Sequence, residues 1–300
     1  ISSIVAKDLR INPSINISLC NGAKFGIYLS LKTITNPGDN ILLLEPYWLS
    51  YPDICKSLNL KFSSIQFEIE SNQYNLSQIK NTILQKNIKV IVVNNPVNPS
   101  GFVFRTEFLE DLSSFCLLNN VWLLIDEVYK DLTFKKEEVE SFTQLKGVVR
   151  VGSLSKSFAI PGFRLGYVIG EEEFMRNFIL FNQHISTCIT NLSNYLAENI
   201  AQADYLYYTL YSSNIYEERF ILASNILTKK GYKVLPSEAS FYLLCNVSHK
   251  FKSGEEAVSY FESKGIILTS GSHYGSQFTN YIRICLTLEL QKLASILEEF

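Results

Sequence analysis

No stretch of this chain approaches the roughly 20 consecutive apolar residues that a membrane-spanning helix requires, so a transmembrane role is not expected. Neither sign of charge is in excess: 27 basic and 29 acidic residues leave a formal net charge of −2. Nucleic acid and anionic membrane surfaces both demand a positive face, and neither is an expected partner. Only three histidines occur (His184, His249 and His273). They share no ligand spacing, so no metal site is expected. The six cysteines (Cys20, Cys55, Cys116, Cys188, Cys245 and Cys285) include no CxxC pair and sit in apolar surroundings. That pattern predicts buried, reduced thiols of the kind kept in a cytoplasm. Internal repeats and low-complexity tracts are absent, and the first residues from Ile1 lack the charged-then-apolar pattern of a signal segment.

What is present is apolar and alternating. Apolar residues make up 47% of the 300, enough to bury a sizeable core in one large domain or in a large and a small one. Short apolar runs at Ile15–Leu19, Ile41–Leu44, Leu60–Phe67, Val90–Val93, Val121–Ile125, Val148–Val151 and Leu165–Ile169 read as strands. Helical spacing appears between them at Phe25–Ile34, Ile79–Gln85 and Glu107–Leu118. Strands that are nearly all apolar and alternate with helices predict an α/β fold, a mostly parallel sheet with helices on both faces. From Glu172 the chain reads as helical, over Glu172–His184, Leu192–Asn214 and Glu217–Lys230. A smaller α+β unit follows, with strands at Lys233–Leu235, Phe241–Val247, Ile266–Leu268 and Tyr281–Leu286 and helices near Gly254–Lys264 and Glu289–Phe300. The expected division is 1–205 and 206–300, joined by a long helix.

In such sheets ligands bind beyond the carboxyl ends of the strands. Several polar residues fall there. The Gly22–Ala23–Lys24 turn opens a helix whose free N–H groups suit a phosphate. Trp48 lies in an aromatic cluster, read as exposed, that could stack on a flat ligand. Asn98 is held in a loop stiffened by two prolines. Asp126 ends a wholly apolar strand and therefore needs a partner. The segment Val148–Gly170 concentrates the most chemistry. It carries Ser153, Ser155 and Arg164, which suit a phosphate, beside Lys156, which suits a carbonyl able to form a Schiff base. A polar turn with a solvated lysine accounts for that segment equally well when it is taken alone.

Six stretches in order resemble the class I and II, fold-type-I, pyridoxal-phosphate-dependent aminotransferases. They are NGAK (21–24), PYWLSYP (46–52), NNPVNPSG (94–101), DEVY (126–129), SLSKSFAIPGFRLGY (153–167) and YIRICLT (281–287). The likeness is to the bacterial aspartate aminotransferase branch. It implies that Lys156 holds pyridoxal 5'-phosphate as a Schiff base and moves the proton. It implies that Asp126 pairs with the ring nitrogen, that Tyr129 and Asn98 bond the ring hydroxyl, and that Trp48 stacks on the ring. Ser153, Ser155, Arg164 and the Gly22–Ala23–Lys24 turn would hold the phosphate. Arg283 would take the substrate carboxylate with Asn98 and Trp48 beside it, and Lys24 would reach the second carboxylate of aspartate or glutamate. The resemblance implies amino-acid and 2-oxo-acid substrates, a homodimer and a cytoplasmic location. Family members also carry a longer segment before the Gly22 turn, so a small domain lacking that contribution is expected.

Three alternatives stand beside the aspartate reading. An aromatic or prephenate aminotransferase, or a carbon–sulfur β-lyase, shares every motif except the one that reads the side chain. A truncated relative would bind the cofactor without turnover. A serine acyl-enzyme would use Ser153 with Lys156, Ser212–Ser213–Asn214 and His273–Tyr274–Gly275.

Overall fold

The computed structural model describes residues 16–134, 144–202 and 205–300. Ile15, the predicted start of the first strand, lies outside the described residues. In chain order the first unit contains β1 (Ile17–Asn21), α1 (Ala23–Ile34), β2 (Asn40–Leu44), α2 (Ser50–Ser57), β3 (Lys61–Ile65), α3 (Leu76–Gln85) and β4 (Ile88–Asn94). It continues with α4 (Thr106–Leu118), β5 (Trp122–Asp126), β6 (Val148–Ser153), the short α5 (Leu154–Ser157) and β7 (Leu165–Gly170). Then come α6 (Glu172–Ile185), α7 (Asn191–Gln202) and the long α8 (Tyr205–Lys229). The second unit holds β8 (Lys233–Val234), β9 (Tyr242–Asn246), α9 (Gly254–Ser263), β10 (Thr269–Ser270), β11 (Tyr281–Cys285) and α10 (Leu290–Leu297).

Seven strands form the first sheet in the order β1-β7-β6-β5-β4-β2-β3. The neighbours from β3 to β6 pair in parallel, whereas β7 is antiparallel to both β6 and β1. Alternate residues of the apolar strands face opposite sides. Leu42, Ile91, Val93, Leu123 and Ile125 pack with Ile79, Ile83, Leu109 and Leu112 of α3 and α4. Ile41, Leu43, Val90, Val92 and Leu124 pack with Ile27 of α1, Ile54 of α2 and Phe178 of α6. Each such fully buried side chain contributes about 1.5–3 kcal/mol, which is why both faces need helices. The register aligns Asn94 with Asp126 and Ser153 with Gly166, while Asn21 of β1 pairs with Leu165. The carboxyl ends of β1, β4, β5 and β6 and the start of β7 therefore meet along one edge.

Behind that edge lies a buried ion pair. Arg150 of β6 donates from Nε and Nη2 to the Glu127 carboxylate at 2.8–3.1 Å, both side chains being under a tenth exposed. Removing the carboxylate takes away three charge-assisted hydrogen bonds that hold Arg150 in the interior, so Glu127→Ala is expected to cost about 3 kcal/mol. Urea unfolding of the variant at neutral pH measures it, and a loss below about 1 kcal/mol contradicts the assignment.

The second sheet is antiparallel, in the order β10-β11-β9-β8. One face, with Leu243, Cys245, Ile282 and Ile284, packs on Ala223 and Leu227 of α8, Phe261 of α9 and Leu293 of α10. Leu244 faces the other way and joins the core of the first unit. Arg283 is its direct partner across β9 and β11, so Arg283 shares that face.

Four expectations need correction. The aromatic stretch after β2 is not an exposed cluster: it winds into α2, Tyr51 is 2% exposed and Trp48 is half-buried. The predicted break near Asn214 is absent, because α8 runs on and the Ser213 hydroxyl bonds the Leu210 carbonyl within the helix. The predicted Leu192–Asn214 helix crosses residues 203–204, which lie outside the described residues. No strand forms at 266–268, since Gly265 closes α9 with φ +80° and the Ile266 N–H turns back to the Phe261 carbonyl. Finally, only four cysteines are buried; Cys188 and Cys285 are exposed, the latter on the Arg283 face of β11.

Candidate active site

A cavity of about 300 Å³ opens at the edge where the strand ends meet. Its wall includes Ala23, Lys24, Trp48, Asn98, Asp126, Tyr129, Ser153, Ser155, Lys156 and Arg164, all anticipated from the sequence. Gly22 and Arg283 adjoin it without lining it. Asn94, Val128, Ile27 and Tyr242 also line it and were not anticipated.

Asp126 is carried to the floor by β5 and is 3% exposed. One carboxylate oxygen accepts the Tyr51 hydroxyl at 2.7 Å and the other accepts the Val128 N–H at 3.2 Å. Among the described residues, no lysine or arginine forms an ion pair with it. Burial pushes its pKa up to about 6 even though both hydrogen bonds pull it down. Such a carboxylate suits a cation supplied from outside the protein. Tyr51 was read only as part of an aromatic stretch. The signal that could have found it is its place in the first turn of the helix that follows β2, near Trp48, whose ring meets the Tyr51 ring edge-on at 5.5 Å.

Lys156 sits in α5 immediately after β6, so the strand's exit fixes where the amine emerges. Burial holds its pKa below the ordinary lysine range. The guanidiniums of Arg164 and Arg283 act in the same direction, and Cys285 opposes them. A partly buried amine with cationic neighbours is neutral at lower pH than a free lysine, and a neutral amine is both nucleophile and base.

One corner of the cavity is made for an anion. Gly22, at φ +82°, caps α1, and a Cβ on it would lie 2.3 Å from the Arg164 guanidinium, so only glycine lets the two approach. The first turn of α1 has no acidic residue and no side-chain cap, which leaves its N–H groups for a ligand. Arg164 takes the left-handed conformation at φ 51° and steadies itself on the Pro161 carbonyl at 3.0 Å. The Ser153 hydroxyl donates to the Leu165 carbonyl at 2.6 Å and accepts the Ser155 N–H at 3.0 Å. Ser155 lies 3.4 Å from the same carbonyl.

On the opposite side, Asn98 donates to the Tyr129 hydroxyl at 3.3 Å, and its own backbone N–H is held by the Asn94 side chain at 2.7 Å. Asn94 also donates to the Asp126 carbonyl at 2.9 Å, which explains why a further polar residue at a strand end belongs here. Arg283 reaches in from β11: Nη1 is 3.5 Å from the Asn98 oxygen and Nη2 donates to Thr269 at 3.2 Å. Its Nε is buried without a hydrogen-bond partner among the described residues. Lys24 is exposed, with Nζ 4.9 Å from the centre of the Trp48 ring. The acyl-enzyme constellation does not form, because Ser213 is buried inside α8 and bonded within that helix.

Known proteins resemble this chain along nearly all of its length. The family model described as aminotransferase class I and II matches residues 5–300. The aspartate aminotransferase of Bacillus sp. strain YM-2 is 29% identical over 288 residues, covering 90% of this chain and 71% of that protein. That of Bacillus subtilis is 28% identical, covering 95% and 75%. Among solved structures, a mutant of Thermus thermophilus aspartate aminotransferase superposes with a TM-score of 0.93 at 22% identity, over all of this chain and 83% of the other. An aromatic aminotransferase from Pyrococcus horikoshii gives 0.91 at 21% identity, over 99% and 83%. With an amine, a buried carboxylate and an anion corner facing one cavity, and this agreement along the whole chain, the protein belongs to the class I and II aminotransferases, pyridoxal-phosphate-dependent transaminases of fold type I.

Proposed function

We propose that this chain moves the amino group of L-aspartate to 2-oxoglutarate and that Lys156 is the residue bonded to the cofactor. The observation that carries this reading is the convergence of the Lys156 amine, the buried Asp126 carboxylate and the Ser153–Arg164 corner on one cavity. Those residues fit pyridoxal phosphate, since a buried carboxylate with no ion-paired lysine or arginine among the described residues matches a protonated ring nitrogen and the corner beside the open α1 terminus matches a phosphate. When bound, the cofactor supplies a carbonyl and an electron-accepting ring.

In this reading Asp126 holds the proton on the ring nitrogen. Gly22, Ala23, Lys24, Ser153, Ser155 and Arg164 hold the phosphate, Arg164 as charge and the others through N–H or hydroxyl donors. Tyr129 and Asn98 bond the ring hydroxyl, and Trp48 covers a ring face. Arg283 binds the α-carboxylate through its fork, for which the unpartnered Nε is a free donor. Lys156 then takes the proton from the α-carbon of the bound amino acid and returns one on the opposite leg of the cycle. Lys24 meets the second carboxylate. The reading assigns 1–205 to the cofactor-binding domain and 206–300 to a small domain. It also includes a homodimer and a cytoplasmic location, in keeping with exposed Tyr195, Tyr207 and Tyr211 and with six unpaired cysteines.

A second reading, an apolar amino acid as substrate, is favoured by the exposure of Lys24 and its contact with the Trp48 ring. Stopped-flow absorbance of the cofactor during the half-reaction separates the two. Aspartate is expected to convert it faster than phenylalanine or alanine. Lys24→Ala is expected to weaken aspartate about tenfold, the size of one exposed charge-assisted contact, without affecting phenylalanine. Equal losses for both amino acids, or no conversion by aspartate, would overturn the dicarboxylate preference.

A further inference from the structure

Tyr242 lines the cavity, yet the functional reading leaves it without a task. It opens β9, and its neighbour two residues on, Leu244, is the direct partner of Arg283 across the sheet. Tyr242 and Arg283 are therefore diagonal neighbours on one face, a spacing that long and aromatic side chains span. The Arg283 guanidinium lies 4.2 Å from the centre of the Tyr242 ring, closer than its 5.4 Å from the Tyr274 ring.

The other end of Tyr242 touches a different element. Its hydroxyl accepts from the Tyr129 hydroxyl at 3.4 Å, with the two rings edge-on at 5.8 Å. Tyr129 in turn accepts from Asn98, and the Asn98 oxygen faces Arg283. The four side chains form a closed circuit, Arg283–Asn98–Tyr129–Tyr242–Arg283, and Tyr242 is the member that joins the second sheet to the end of β5. Tyr129 has a single hydroxyl proton, so an acceptor at Tyr242 determines which way that proton points.

We propose that Tyr242 is a positioning residue for transamination, its ring face holding the Arg283 guanidinium and its hydroxyl orienting the Tyr129 hydroxyl. The proposal rests on the reading of Arg283 as the α-carboxylate site. It implies that ring and hydroxyl do separable work. A guanidinium has several rotamers of similar energy, and a flat apolar face beneath it removes most of them before substrate arrives. The hydroxyl acts on the cofactor side alone.

Two variants of the holoenzyme separate the tasks. Tyr242→Phe keeps the platform: the affinity for an α-methyl amino acid, which binds without losing a proton, stays within about twofold, while the pH dependence of the cofactor's absorbance moves. Tyr242→Leu removes the platform: that affinity falls about tenfold and KM for the amino acid rises in step, with kcat less affected. Should the leucine variant lose its cooperative thermal transition, Tyr242→Met, which also lacks the ring face, gives the same comparison. An aliphatic variant that binds the α-methyl amino acid as tightly as the Phe variant sinks the platform role. An unmoved absorbance titration in Tyr242→Phe sinks the hydroxyl role. Arg283→Lys serves as the control: unchanged affinity there means that the α-carboxylate reading itself fails, whereas a loss there without one in Tyr242→Leu means that only the present proposal fails.

Discussion

Lys156→Ala is expected to lower the aspartate transamination rate by about 10⁴-fold or more. A general base alone is worth up to about that factor, and the same amine is also the proposed attachment point of the cofactor. The geometry makes a substitute hard to find, because the other basic groups near the cavity are Arg164, Arg283 and the exposed Lys24. An arginine cannot give up its proton at accessible pH, so neither guanidinium can serve as the base. Lys156→Arg is therefore expected to be as inactive as the alanine variant, although it keeps the positive charge. Both should still take up pyridoxal phosphate through the anion corner and Asp126, but borohydride treatment followed by intact mass should find no cofactor retained. A variant within tenfold of the wild-type rate, or a retained mass in Lys156→Ala, would contradict the assignment.

The second prediction has opposite signs with and without cofactor. Asp126→Asn is expected to reduce the transamination rate by about 10³-fold, the upper range for removing one group that stabilises developing charge. In the apo-protein the same change should stabilise. The Asp126 carboxyl has its pKa pushed up to about 6 from 3.8, so the folded protein binds a proton there that the unfolded chain releases. Below about pH 4 both states are protonated and ionisation costs nothing. As the pH rises from about 4 to about 6 the unfolded chain ionises while the folded state still holds its proton, so stability falls by up to about 3 kcal/mol and then levels off. Asparagine carries no charge and can rebuild both hydrogen bonds, with its oxygen toward the Val128 N–H and its amide toward the Tyr51 hydroxyl. Urea midpoints of the two apo-proteins should coincide near pH 4 and separate in favour of the variant by pH 8. Added cofactor should reverse the order, because only the carboxylate gains a cationic partner. If wild-type apo-protein is the more stable at pH 8, the carboxylate is not the uncompensated charge described above.

Much of this site was legible because the polar residues interrupt strongly patterned segments. Asp126 ends the otherwise apolar β5, and Lys156 follows a β-branched run through Gly152, Ser153, Leu154 and Ser155. Punctuation also helped, since Gly22 permits a turn at φ +82° that other residues resist and prolines restrict the Asn98 loop. What escaped notice lies where local pattern and tertiary role diverge. Tyr242 belongs to an apolar run that reads as an ordinary buried strand, and nothing in it marks the residue that meets Arg283 from a strand about forty positions later. Tyr51 reads as one aromatic among several, and its hydroxyl bond to Asp126 depends on α2 folding back over the end of β5.

The same division explains the errors in the elements. The break expected in α8 rested on serine and asparagine being weak helix formers, a small preference that burial and bonding within the helix override. The strand expected at 266–268 rested on β-branched composition, yet the backbone there is still closing α9, and Ile267 is left 89% exposed. The cysteines went wrong in a related way, since apolar neighbours in sequence do not tell which face of β11 a side chain occupies.

By itself, the order of apolar strands, helices and punctuating polar residues determined the mostly parallel sheet and pointed to the edge at which Lys156, Asp126 and Arg164 meet. These follow from periodicity and from where a strand must end, both of which are local. Only the tertiary structure decided that Asp126 has no ion-paired lysine or arginine among the described residues, that Gly22 and Arg164 touch, and that Arg283 rests on Tyr242. Those are distances between segments far apart in the chain, set by the packing of two sheets.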